Sequence, residues 1–222
     1  MQPASGVLPD RGRRGGRPPE VRYRLASGAA EGTLSTDLSG RGVTFDPVVE
    51  VAAGTEHACA LLSGGAVRCW GLGPPLLFDT VPYGSALGYG HANSIGDDEA
   101  PASAGDVNVG GAVAHVDAAG FRTCAVLLTG SVRCWGRAAP FSLGYGNLND
   151  IGDNEAPASA GDVALGGSAT QVSVGGWHMC ARLSSGRVRC WGRNRAGQLG
   201  YGHTRTIGDD ELPAGAGDVA VQ

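Results

Sequence analysis

Cys59–Gly71 reads CALLSGGAVRCWG, and its pattern returns as CAVLLTGSVRCWG at Cys124–Gly136 and CARLSSGRVRCWG at Cys180–Gly192. All six cysteines of the chain lie in these three stretches. In each, two Val/Leu/Cys-rich runs flank a short Ser/Thr/Gly turn, the sequence signature of a β-hairpin. Gly65, Gly130 and Gly186 hold the same place in the three turns. A three-residue hairpin loop needs a left-handed residue at its third position, and glycine takes that conformation without a Cβ clash. A Ser63-Gly64-Gly65 loop sets Leu62 opposite Ala66, Leu61 opposite Val67 and Cys59 opposite Cys69. Directly paired residues of an antiparallel ladder have Cα atoms about 4.5–5.5 Å apart, which a disulfide accepts. The register predicts disulfides Cys59–Cys69, Cys124–Cys134 and Cys180–Cys190. Reduced, packed thiols are the other reading of the same cysteines.

The chain around these hairpins has 222 residues, of which 39 are Gly, and only 6% are aromatic. Many short strands joined by tight turns fit that composition; a helical bundle does not. The net charge of −4 excludes nucleic-acid binding by the chain as a whole on electrostatic grounds. All 17 basic residues are Arg, which excludes a Schiff-base lysine and a phosphate-loop lysine. No nucleophile elbow, Cys-x-x-Cys pair or His-Glu-x-x-His motif is present, so neither an enzyme nor a cofactor site is expected. Paired cysteines point to an oxidising compartment, so the intact protein is expected outside the cell or in its envelope. The N-terminus nonetheless lacks a signal-peptide pattern, and no apolar run is long enough for a membrane span.

Residues 1–45 differ from the rest. Arg11, Arg13, Arg14, Arg17, Arg22 and Arg24 lie among Gly and Pro, which reads as a disordered basic segment. A solvated tail is the preferred reading there, with a nucleic-acid-touching arm as the weaker one. From residue 46 the chain is a repeat region, with repeats at 49–111, 112–167 and 168–222. Leu-Gly-Tyr-Gly recurs at Leu87, Leu143 and Leu199, Ile-Gly-Asp at Ile95, Ile151 and Ile207, and Gly-Asp-Val at Asp106, Asp162 and Asp218. Cys134 and Cys190 stand 56 positions apart, whereas Cys69 and Cys134 stand 65 apart, which places an insertion between Trp70 and Leu87. Repeats of this length with several short strands each mark a propeller or similar array. A four-stranded unit is expected: Val49–Ala53, the two hairpin strands, and a last strand at Asp106–Val109, with the same order in the other repeats. One hairpin face carries Cys59, Leu61, Val67 and Cys69, and the other Ala60, Leu62, Arg68 and Trp70. With both faces mainly apolar, each sheet should be covered on both sides.

The segment WGRNRAGQLGYG at Trp191–Gly202, with His178 and Ala181 before it, resembles the repeat of the regulator of chromosome condensation family. Gly54, His57, Ala60 and Leu61 match in the first copy, and Gly186, Val188, Asn194, Gly197 and Gln198 are among the matches in the third. The second copy departs, with Arg122 in the place of His57 and His178, and Ala138 in that of Asn194. The resemblance implies an all-β fold: a partial β-propeller of three four-stranded blades, an open arc of the family's usual seven, and so a fragment of a larger ring. The paired cysteines resemble the bacterial branch of the family. The resemblance also implies a non-enzymatic protein-binding module with an unidentified protein partner. Its alternative is a guanine-nucleotide exchange factor acting on a small GTPase. Open blade edges at both ends imply self-association, since the outer faces of the first and third repeats read as equally apolar.

Several side chains carry a second reading. Trp70, Trp135 and Trp191 read as packing elements before ligand-stacking ones. His57, Cys59 and Cys69 could offer zinc ligands, but Arg122 breaks the set in the second copy, and no metal is expected. Asp97-Asp98-Glu99 and its counterparts read as polar turns ahead of a calcium site. Arg68, Arg133 and Arg189 either pair with Asp106, Asp162 and Asp218 or reach solvent. In the insertion, Leu76, Leu77, Phe78 and Tyr83 lie between Pro74-Pro75 and Pro82. An apolar loop beside a stiff Pro-Pro exit reads as the partner contact, or as a cover for its own blade.

Overall fold

Alternating apolar hairpins with glycine turns fold into three small antiparallel sheets in the computed structural model, which describes residues 46–73, 86–140 and 142–221. The first contains β1 (Val48–Ala53), β2 (His57–Leu62) and β3 (Val67–Gly71). The second contains β4 (Val113–Ala119), β5 (Arg122–Leu127) and β6 (Val132–Gly136). The third contains β7 (Ala169–Val174), β8 (His178–Leu183) and β9 (Val188–Gly192). Each sheet pairs in sequence order. A single helical turn follows each sheet, at Pro101–Ala104, Pro157–Ala160 and Pro213–Ala216, with proline in its first turn, where a missing N–H costs nothing. No helix among the described residues is long and apolar enough to cross a membrane. The basic segment 1–45 and the Leu76, Leu77, Phe78 and Tyr83 loop lie outside the described residues.

The hairpin register is the expected one. Leu61 pairs with Val67 and Cys59 with Cys69; the Leu62 N–H donates to Ala66 O at 2.8 Å, and Gly65 sits at φ +84°. Disulfides join Cys59–Cys69, Cys124–Cys134 and Cys180–Cys190, with Cα separations of 4.0, 4.1 and 4.0 Å. These are non-hydrogen-bonded ladder positions, where side chains approach most closely.

Each blade has three strands, and the expected fourth is replaced by three separate pieces of chain. The outer edge of β3 offers backbone groups at Val67, Cys69 and Gly71. Val107 N–H donates to Val67 O at 2.8 Å, after which the chain turns, with Val109 N–H donating to Val107 O at 2.9 Å. Gly71 exchanges two bonds with Ile95, at 2.8 and 3.0 Å. Between these, the Tyr89 hydroxyl accepts from Cys69 N–H at 3.2 Å. Its proton is shared between Cys69 O at 3.2 Å and Gly105 O at 3.1 Å. Tyr145 does the same for Cys134 and Gly161, and Tyr201 for Cys190 and Gly217. The Gly-Asp-Val segment therefore contributes one ladder bond, and a side chain stands where a strand was expected.

Blades stack through a repeated junction. We call the side of a blade toward the preceding repeat its leading face and the other its trailing face. β4 packs on β1 and β2, and β7 on β4 and β5. Gly65 O accepts from Val113 N–H, and Gly130 O from Ala169 N–H, both at 2.8 Å. The Trp135 indole donates to Ala86 O at 2.9 Å, and that of Trp191 to Leu143 O at 3.0 Å. Both indoles are completely buried, so Trp135 and Trp191 are packing elements. Arg133 bridges its own Asp162 (3.0 Å) and the preceding blade's Val109 O (2.5 Å); Arg189 repeats this with Asp218 and Leu165 O.

Gly144 marks how closely the junction is packed. It has φ +98°, and a Cβ there would lie 2.7 Å from the Trp191 Nε1. Gly186 in the third hairpin turn also has positive φ, at +84°, but nothing lies within 4 Å of a Cβ placed there. Gly186→Ala should cost about 1 kcal/mol, from strain alone. Gly144→Ala should cost about 3 kcal/mol or more, because overpacking is added. Urea denaturation of the two variants, compared with the unsubstituted chain, checks the difference.

Candidate interaction surface

The two ends of the stack differ in chemistry. On the leading face, β1 residues Val48 and Val51 are 54% and 63% exposed, while Val113 and Val116 in the second blade are 3% and 2% exposed. Ala53 is exposed, and Trp70 is only partly buried. Among the described residues no blade covers this face, so an apolar strip of Val48, Val51, Ala53 and Trp70 faces outward. The trailing face of the third blade is likewise covered by no blade among the described residues. There Ser173 and Arg182 occupy the places of Ala52 and Leu61 in the first blade, and both are exposed. The expectation of two equally apolar end faces is corrected: one is apolar and the other polar. Aligning the three hairpins on their cysteines exposes this difference directly, at Leu61, Val126 and Arg182.

The trailing face also carries the disulfides. Cys59, Cys69, Cys124 and Cys134 are completely buried between blades, whereas Cys180 is half-buried. With both thiols oxidised, Cys59 and Cys69 offer no thiolates, which removes the zinc reading at His57. His57 instead lies 2.8 Å from Thr123 Oγ1 in the next blade. Because Thr123 O–H donates to Ala86 O at 3.2 Å, His57 donates from Nε2. Its Nδ1 is then a buried acceptor without a partner among the described residues. Burial pushes the His57 pKa down to about 4. Gly54 makes room for the ring, since a Cβ there would stand 2.1 Å from Cε1.

In the second blade Arg122 occupies the histidine position and spans the next junction. It donates to Gly176 O at 2.9 Å and stands 5.2 Å from the Trp177 ring centroid, a cation–π distance. Side chains that do not repeat also bridge blades. Glu50 accepts from Val116 N–H at 3.0 Å and pairs with His115 Nδ1 at 2.7 Å, and Asp117 accepts from Val174 N–H at 2.8 Å. The repeat pattern carries no signal for these, because the residue type changes at each copy.

The acidic turns use their own backbone. Gly96 N–H donates to Glu99 Oε1 at 3.1 Å, and Gly152 N–H to Glu155 Oε1 at 3.4 Å. Ligand atoms of Asp97, Asp98 and Glu99 lie within 4.8 Å of one another, as do those of Asp209, Asp210 and Glu211. Sharing a hydrogen bond with Asp98 raises the Glu99 pKa. Arg68 pairs with Asp106 at 2.7 Å, Arg133 with Asp162 and Arg189 with Asp218, both at 3.0 Å. The Arg–Asp reading therefore describes all three repeats. The partner-contact residues Leu76, Leu77, Phe78 and Tyr83 lie outside the described residues.

The repeat profile described as "Regulator of chromosome condensation (RCC1) repeat" matches residues 48–73 and 169–198. The chain is 32% identical over 174 residues to the ultraviolet-B receptor UVR8 of Arabidopsis thaliana, covering 77% of this chain and 36% of that protein. Among solved structures, human WBSCR16 superposes with a TM-score of 0.55 at 21% identity, covering 75% of this chain and 38% of that one. Yeast RCC1 (Prp20), solved bound to Kap60, superposes with a TM-score of 0.53 at 12% identity, covering 78% of this chain and 38% of that one. The chain thus spans little more than a third of these relatives. It belongs to the regulator of chromosome condensation repeat family, and its fold is a partial β-propeller.

The buried His57 gives the first blade junction an acid limit. The unfolded chain binds a proton near the ordinary histidine pKa of about 6.5, and the folded chain only near 4, so the folded state takes up fewer protons between them. Stability is complete above about pH 6.5 and falls as pH drops toward 4, by about 3 kcal/mol for this group. His57→Gln keeps a donor to Thr123 and should remove that part of the pH dependence. Melting temperatures of both proteins across pH 4–7 check it; parallel curves would contradict it.

Proposed function

We propose that this repeat array is a non-enzymatic protein-binding module, and that its partner docks at the leading end of the first blade. The observation that carries the reading is the exposed apolar strip of Val48, Val51 and Trp70, which the other blades bury at each equivalent position. Exposed apolar surface of this kind marks interaction sites. β3 ends at Gly71 beside Trp70, and the sequence that follows supplies Leu76, Leu77, Phe78 and Tyr83. We include these four residues in the partner contact on their chemistry: large apolar and aromatic side chains dominate binding energy at interfaces. Support comes also from the yeast relative, whose crystal structure holds a protein partner, Kap60.

A replacement of Leu76, Leu77 and Phe78 by Ser tests the reading. Affinity capture from the native host should recover a partner with the unsubstituted chain. The triple variant should lose that partner by about tenfold or more in affinity, with an unchanged melting temperature. A large fall in melting temperature would show that these side chains are core. Acceleration of nucleotide release from a captured GTPase would replace this reading with the exchange-factor one.

A further inference from the structure

One side chain, His115, ties three blades together. It lies in β4 of the second blade, which packs against both β1 and β7. Its Nδ1 stands 2.7 Å from Glu50 Oε1 of the first blade, and its Nε2 stands 2.8 Å from Val172 O of the third. Glu50 Oε2 accepts the Val116 N–H at 3.0 Å, so both carboxylate oxygens are engaged. Further along β4, Asp117 accepts the Val174 N–H at 2.8 Å. Side chains of the blade before thus pair backbone groups on the free edges of β4 and β7, as edge groups withdrawn from water require.

The protons in these contacts can be counted. A backbone carbonyl only accepts, so Nε2 must donate to Val172 O. The contact between Oε1 and Nδ1 needs a second proton, whichever of the two atoms carries it. A neutral imidazole beside an ionised carboxylate supplies one proton for the two contacts. One contact would then set lone pair against lone pair. The ionised carboxylate is the stronger acceptor, since charge-assisted hydrogen bonds are about twice as strong as neutral ones. A neutral ring therefore keeps Glu50 and gives up Val172. Histidine is the side chain that exchanges its second proton between about pH 5 and 8. The His115 and Glu50 side chains are 22% and 30% exposed, which leaves the pair open to solvent protons.

The other titratable groups near β4 are engaged elsewhere. β7 carries no titratable side chain. β2 carries His57, which bonds Thr123 opposite Ala118, and β5 carries Arg122, opposite Ala119. Both act at the far end of β4. On β4 itself, Asp117 holds the N–H groups of Ala118 and Val174.

We propose that His115 is a proton-dependent clamp: with two protons its ring joins all three blades, and with one it releases the third. The proton leaves to solvent, the freed group is Val172 O, and the Glu50 contact stays. Because the folded clamp holds the extra proton, its contribution to stability is present at low pH and lost as pH rises. That sign is opposite to the one for His57, so acid acts on the first junction and rising pH on the second.

Nuclear magnetic resonance of the isotope-labelled full chain, titrated from about pH 5 to about pH 8, reads the clamp. Both ring nitrogens of His115 should carry protons at the low end, and Nε2 should lose its proton as pH rises. The Val172 carbonyl carbon should shift in the same titration, while the Val116 amide keeps its bond to Glu50. In His115→Gln, whose side chain does not titrate, the Val172 carbonyl should stay fixed. Three results would overturn the proposal: a ring whose proton count is constant across the range, a proton lost from the ring with Val172 unmoved, or a Val172 shift that persists in His115→Gln. The titration of the unsubstituted chain decides the matter by itself if the variant does not fold.

Discussion

Three tyrosine hydroxyls hold this structure's outer edges together. A β3-type strand at a blade edge exposes a row of backbone donors and acceptors, which must be paired once they are buried. Tyr89, Tyr145 and Tyr201 each reach the N–H and carbonyl of the second cysteine of their repeat. A flanking valine and isoleucine pair the residues on either side. One side chain therefore links the disulfide, the edge strand and the segment that leads to the next blade. Burial raises the pKa of all three tyrosines, that of Tyr145 to about 12, so each phenol stays protonated and able to donate at neutral pH.

From that edge outward, the junction follows. Each blade's trailing face is built around a disulfide and branched aliphatics, and its leading face around a tryptophan lying against the preceding Leu-Gly turn. Burial of these faces is the main stabilising term, since the disulfides close only short loops and their chain-entropy effect is at the low end of about 2–4 kcal/mol. The same arrangement makes the ends consequential. An uncovered leading face exposes valines, and an uncovered trailing face exposes whatever occupies the Leu61 position, which in the third blade is arginine.

The hairpins were legible because their physics is local. Period-two alternation and a glycine at one fixed turn position set the register, and the register sets the cysteine pairing. The fourth strand is not legible because its edge is composite: Val107, Tyr89 and Ile95 come from three stretches, and alternation finds only contiguous strands. The tyrosine did carry a signal, its repetition between glycines in Leu-Gly-Tyr-Gly, but sequence alone does not say that a hydroxyl replaces a strand. The polar face of the third blade is legible at Arg182, which stands where the other copies have Leu61 and Val126. Glu50, His115 and Asp117 bridge blades with no shared pattern, so only the fold brings their partners together. The family resemblance gave the architecture and left the partner undetermined, because the loops that vary among repeats are those expected to bind.

Amide hydrogen exchange at Cys134 tests the central claim most directly. Its N–H points away from the hairpin and, among the described residues, is bonded by the Tyr145 hydroxyl at 3.1 Å. In the folded chain this amide should be protected like those in the β5–β6 ladder. In Tyr145→Phe it should exchange about tenfold or more faster while the ladder amides keep their rates, the loss of one local hydrogen bond of about 1.5 kcal/mol. Protection of Cys134 unchanged by Tyr145→Phe would contradict the account, because the strand edge would then be satisfied without the phenol.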